Sequence, residues 1–237
     1  MPFRIGSPTP SMAKLVERQM RNWELAKTQR SPSEVSGRTQ VEDFVCISRE
    51  VGADAESICA VLGERLGWPV FDKEILGAMA GDDAIRRQIY ASMDERDMGW
   101  CEESLRALVQ PEFVKNDYFH KLTETVLSLA RQGSGIFLGR GADLILPQET
   151  GVRVRVVAPP AARIQRFAAI CGIVAHAART EIRRLEEDRA AFIRRHFHID
   201  SADPGRFDLV INLARISTTR AVELIMAART AVKAGPD

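Results

Sequence analysis

The chain has 237 residues, with 33 Lys and Arg against 32 Asp and Glu, a net charge of +1, and 45% hydrophobic side chains. This balance supports one sizeable buried core, excludes wholesale disorder, and gives no global attraction to nucleic acid or a membrane surface. No apolar run reaches the ~18 residues a membrane-spanning helix needs, and the opening MPFRIGSPTP lacks a secretory apolar stretch, so a cytoplasmic protein is expected. Cys46, Cys59, Cys101 and Cys171 form no C-x-x-C pair. That spacing signals neither zinc nor a disulfide framework.

Residues 1–40 read as a helical arm and linker. Ser11 is a plausible N-cap, and Met12, Val16, Met20 and Trp23 recur on one helical face up to about Lys27. The stretch 30–38 carries Ser, Pro and Gly, as a linker would. The arm reads either as packing back on the main domain or as a helix for a homodimer or protein partner. From Phe44 onward, strand candidates at Phe44–Ile47, Trp68–Phe71, Ile136–Leu138, Val152–Val157 and Leu209–Ile211 alternate with helical stretches. Among these are Ser57–Leu66, closed by Gly67, and Lys121–Ala130. A further helix opens at Pro159-Pro160, another lies around Glu181–His196, and a last one is capped by Ser217. Alternation of this kind predicts an α/β fold with crossover units and a parallel sheet buried on both faces.

Ligands of such sheets bind at the carboxyl ends of the strands. Two turns there draw interest. The first, Ser48 to Ser57 after the opening strand, is a strand–loop–helix context able to seat phosphate on backbone N–H groups, although the full G-x-x-x-x-G-K-[ST] pattern is absent. The second is Gly139-Arg140-Gly141-Ala142-Asp143. Residues 153–195 then hold ten arginines against four acids. Arg184 and Asp188, at i and i+4, pair some of that charge internally, and the remainder suits polyphosphate oxygens. Double-stranded nucleic acid is not expected as a partner of a chain so near neutrality. His196-Phe197-His198 invites a metal reading, but i and i+2 diverge on a helix and no third ligand is evident.

Taken in order, VCISREVGADAESICAVLGERLGWPVFDKEIL, IFLGRGADLIL, VRVRVVAPPAARIQRF and EEDRAAFIRRHFHIDSADPGRFDLVINLARIST resemble the cytidylate kinase-like family, a nucleoside monophosphate kinase branch of the P-loop NTPases. The resemblance runs from about Phe44 to Ala228. It implies a three-layer P-loop kinase-like sandwich with a five-stranded parallel sheet over residues 41–232, a helical lid at about 176–200, and a tail at 233–237. It further implies a phosphate loop at Gly52, Ala53, Asp54, Ala55, Glu56 and Ser57, with Arg49 nearby and Ser57 reaching Mg²⁺. Asp72, Lys73, Arg140, Asp143, Arg184 and Asp188 would serve the acceptor nucleotide and lid. Arg140, Arg189, Arg194 and Arg195 would stabilise the transferring phosphoryl group. Asp208 and Asn212 would flank the base-binding side.

The departures are chemical. Ala55 stands at the lysine position with Glu56 beside it, Asp54 replaces a glycine, and Leu138 replaces the aspartate that helps hold magnesium in true cytidylate kinases. Carboxylates beside a polyphosphate repel it by roughly 1 kcal/mol per close pair. Two readings follow. One is a phosphotransferase moving the ATP γ-phosphoryl to CMP or a similar acceptor, with ATP and Mg²⁺. The other is a kinase-fold module that binds nucleotide or a protein partner and has lost turnover, needing no cofactor.

Overall fold

The computed structural model describes residues 14, 16–22, 41, 43–91, 93, 95–108 and 118–234. Ser11, Met12, Trp23 and the linker 30–38 lie outside them. Five strands, β1 (Phe44–Arg49), β2 (Val70–Phe71), β3 (Gly135–Leu138), β4 (Val152–Val157) and β5 (Leu209–Asn212), form one parallel sheet in the order β2-β3-β1-β4-β5. This is the expected α/β architecture. β1 and β3 are near-continuous apolar runs, as in a sheet covered by helices on both faces, whereas β4 alternates valine with Arg153 and Arg155 before Val156-Val157.

The chain divides into two compact units. The first spans residues 1–44 and 63–150. It contains β2, β3, helical backbone α1 at residues 16–22, α3 (Lys73–Gly81), α4 (Asp83–Ala91), α5 (Glu95–Leu108), α6 (Tyr118–Gln132) and the short α7 (Ala142–Ile145). Leu122, Val126, Leu127 and Leu129 of α6 are buried, and Phe71 meets Phe137 with ring centroids 5.3 Å apart. Asp72 caps α3, its Oδ1 accepting from Ile75 N at 2.8 Å. On α1, Val16 and Met20 are buried and Gln19 Oε1 accepts from Val70 N at 3.1 Å. These residues of the arm pack back on their own unit.

The second unit spans residues 45–62 and 151–237. It holds most of β1, β4, β5, the greater part of α2 (Ala55–Leu66), α8 (Pro160–Cys171), α9 (Ala175–Phe197), a 3₁₀ turn (Pro204–Arg206) and α10 (Thr218–Ala234). Its core is built on Ile47, Ile58, Leu62, Val154, Val156, Ile182, Ile211, Val222 and Ile225. Pro160 opens α8, and Gly172 in the left-handed region closes it. Ser217 Oγ accepts from Arg220 N at the start of α10, as its sequence position predicts. The two histidines of H-F-H are separated by the end of α9. His196 stacks on Phe192, while His198 is the left-handed C-cap. Among the described residues no group of three or more metal-ligating side chains occurs, and no helix is long and apolar enough to cross a membrane.

Candidate functional site

Parallel pairing of β1 with β4 sets Arg49 opposite Val156. The turns leaving the two strands therefore run side by side in the second unit. Glu50 N donates to Val156 O at 3.0 Å, and Glu50 Oε2 in return accepts from Ala158 N at 3.1 Å. The loop then tightens. Ala53 N donates to Glu50 O at 3.2 Å, and Gly52 adopts φ +83. At Gly52 a Cβ would stand 2.7 Å from the Arg163 carbonyl oxygen, so a side chain is excluded by contact as well as by dihedral angle. Asp54 follows at φ +64, a left-handed position that asparagine and aspartate tolerate better than other side chains.

Asp54 is the first acid at the candidate phosphate loop, and its carboxylate is already engaged. Its Oδ1 accepts from the Ser57 hydroxyl at 2.6 Å and pairs with the Arg166 guanidinium from α8. Ala53 and Ala55 are buried, with Ala55 fully so. Glu56, by contrast, is exposed and accepts from Arg49 Nε at 3.1 Å.

A second acid reaches the loop from α9. Glu186 Oε1 accepts from Val51 N at 3.3 Å and from Arg163 at 2.5 Å. Arg163 is only 9% exposed. Its guanidinium also donates to Ala158 O at 3.0 Å and Val51 O at 3.3 Å, and lies 3.3 Å from Glu50 Oε2. A buried cation is tolerated when it is paired and its N–H groups are satisfied, and here two carboxylates and two carbonyls do so. Arg189 of α9 donates to Arg49 O at 3.1 Å, a further tie between that helix and the strand end. The cluster thus brings Arg49, Arg163, Arg166 and Arg189 together with Glu50, Asp54, Glu56 and Glu186. Cations and acids balance, so the loop is lined by arginines without a net positive charge.

The other expected site residues are placed as follows. Arg184 is exposed on α9, between Glu181 and Asp188. Its hydrogen bond to Glu181 holds that carboxyl below its usual pKa and raises that of the guanidinium. Arg194 and Arg195 are exposed near the end of α9. Asp208 clamps the start of β4, its Oδ2 accepting from Arg153 N at 2.7 Å while its own N–H donates to Arg153 O. Asn212 Oδ1 turns the chain by accepting from Ala214 N. After that turn an open cavity of about 620 Å³ is lined by Arg215, Ile216, Ser217, Arg220, Glu223 and Leu224.

In the first unit, Arg140 sits at φ +57 between Gly139 and Gly141, both left-handed, and its guanidinium carbon lies 5.5 Å from the centroid of the Tyr118 ring. Burial pushes the Tyr118 phenol up, while Arg140 opposes that shift. Asp72 spends Oδ1 on the cap of α3, exposed Lys73 follows it, and Asp143 is buried in the first turn of α7. Leu138, at the end of β3, is buried.

In the sequence, Arg163, Arg166 and Glu186 stand out only within the charge balance of residues 153–195, and nothing marks Glu50. The usable signal was positional: arginines in the first turns of a helix opened by Pro159-Pro160 project back toward the neighbouring strand's exit loop.

The sequence profile of the cytidylate kinase-like family matches residues 44–215. Comparison with curated proteins finds no match. Among solved structures, an uncharacterized protein from Eubacterium ventriosum is similar with TM-score 0.60 at 15% identity, over 80% of this chain and 99% of that one. TT1252 from Thermus thermophilus aligns with TM-score 0.44 at 19% identity, over 79% and 98% of the two chains. A shikimate kinase from Bacteroides thetaiotaomicron aligns with TM-score 0.37 at 16% identity, over 81% and 96%.

Proposed function

The chain belongs to the cytidylate kinase-like family, and from that premise we propose that it binds a nucleoside phosphate on its second unit while transferring phosphoryl groups slowly or not at all. The observation that carries this reading is Asp54, whose carboxylate takes the Ser57 hydroxyl and the Arg166 guanidinium. Phosphoryl transfer rests on electrostatic stabilisation of charge spread over the equatorial oxygens. Here the cation and hydroxyl that would provide it already serve an internal anion. An incoming phosphate must compete with that carboxylate. It also meets no lysine in the loop.

Arg49, Arg163 and Arg166 supply guanidinium forks suited to phosphate once their acids are displaced, and Arg189 reaches the same strand end. The cavity beside Arg215 and Arg220 offers a polar-rimmed recess for a base or ribose. Magnesium fits poorly. The Ser57 hydroxyl donates a hydrogen bond to Asp54, and that carboxylate, the anionic ligand a cation beside Ser57 would need, is already paired with Arg166.

The second reading is transfer of the ATP γ-phosphoryl to CMP or a similar acceptor. It is favoured by Arg140, raised on a turn of three left-handed residues beside Tyr118 as a candidate contact for an acceptor phosphate. Incubation with ATP, Mg²⁺ and a panel of nucleoside monophosphates separates the two. Calorimetric ATP binding without ADP formation supports the first reading, and sustained ADP formation with one acceptor supports the second.

A further inference from the structure

The geometry points to a phosphoryl-anion seat formed by Val51 N–H and the Arg163 guanidinium, occupied in this structure by the Glu186 carboxylate and opened when a nucleotide phosphate displaces it. This inference rests on the nucleotide reading above and names the exchange by which that site would fill. The motif alignment does not point to Val51, Arg163 or Glu186.

Glu186 lies 135 residues beyond Val51, on a different element, yet its Oε1 accepts from both Val51 N and Arg163. A backbone N–H and a guanidinium converging on one oxygen is the donor arrangement that suits a phosphate oxygen as well as a carboxylate. The cation of the seat is fixed in place: Arg163 is 9% exposed, its Nε contacts Ala158 O and Glu50, and its Nη1 also donates to Val51 O. The occupant is less constrained. The Glu186 side chain is 36% exposed and can leave toward solvent by rotation. The absence of a Cβ at Gly52 lets the loop lie against the Arg163 backbone, which keeps Val51 N–H and the guanidinium together whether or not Glu186 is present. Because Glu186 belongs to α9, which also touches the loop through Arg189, its release removes a hydrogen-bonded tie between that helix and the strand end.

The test compares ATP and inorganic tripolyphosphate binding by wild-type protein, Glu186→Gln and Glu187→Gln using titration calorimetry. Glu187 is an exposed acid on the same helix, so its variant removes equal charge without touching the seat. Glu186→Gln is expected to bind both probes about tenfold more tightly than wild type, with Glu187→Gln changing affinity less than about twofold. Equal tightening in the two variants, or none in Glu186→Gln while wild type binds ATP, overturns the seat and leaves the nucleotide reading standing. No binding by any of the three overturns both. A measurement on the wild-type chain covers the case in which Glu186→Gln does not fold. The Val51 amide resonance is expected to shift as ATP saturates the protein, and an unmoved Val51 signal at saturation overturns the seat.

Discussion

Gly52 lies so close to Arg163 that a Cβ on it would stand 2.7 Å from the Arg163 carbonyl oxygen, at a φ of +83. Steric exclusion and backbone strain act together there. Gly52→Ala is expected to lower stability by about 2 kcal/mol or more, since a strained left-handed residue alone costs roughly 1–3 kcal/mol. Urea unfolding with an unchanged m-value reads this loss. A change below about 0.5 kcal/mol would mean the loop relaxes freely away from α8.

Arg163 joins β1's exit loop to α9 through Glu50 and Glu186. Removing one partner of a mostly buried pair leaves uncompensated charge, so Arg163→Met is expected to cost about 3 kcal/mol. Replacing both partners is less harmful. The double variant Arg163→Met with Glu186→Met should recover at least about 1 kcal/mol of the summed single losses, as a double-mutant cycle measures.

Gln19 ties the N-terminal arm to the edge strand β2 by accepting from Val70 N. Gln19→Ala leaves that amide without its acceptor and is expected to destabilise the first unit by about 1–2 kcal/mol. Equilibrium unfolding, with hydrogen exchange at Val70, measures it. Unchanged protection of the Val70 amide would contradict the docking.

The cysteines give a pH-dependent prediction. Burial pushes the Cys101 thiol up to about 12, although the Ser128 hydroxyl 4.0 Å away opposes the shift. Between the unfolded thiol's pKa of 9.0 and about 12 the unfolded chain is ionised there and the folded chain is not, so it binds fewer protons than the native state. Stability therefore falls as pH rises through that window, with a slope of roughly 1 kcal/mol per pH unit from this group. Cys101→Ala should flatten the alkaline limb. Thiol-reactive dye at pH 8 should label exposed Cys171 first, with buried Cys46, Cys59 and Cys101 following only on unfolding.

β1 and β3 were legible because parallel strands buried on both faces are short apolar runs. Val152–Val157 agrees with its predicted limits, and Phe44–Ile47 extends only to Arg49. The helices α3 to α5 were less legible. α3 interrupts its apolar residues with two glycines, and it is fixed by the Asp72 cap and by burial of Ile75, Leu76 and Met79. For the site, the strand–loop–helix turn and the arginine-rich segment could be read from order alone. Which acid meets which arginine could not. Glu186 meets Val51 only because β1 and β4 are adjacent and α8 and α9 fold back from the end of β4. The family resemblance puts Ala55 at the lysine position, yet that position is fully buried. The side chain open to solvent beside it belongs to Glu56, 60% exposed.

On the function proposed, internal carboxylates hold the loop against phosphate. Calorimetric titration of ATP into wild type and into the double variant Asp54→Gly with Glu56→Lys tests it most directly. The variant frees Arg166 and Ser57 and adds a cation at an exposed position. Affinity is expected to rise by at least about tenfold, equivalent to about 1.4 kcal/mol. Equal ATP affinity in the two proteins would mean that phosphate does not meet this loop.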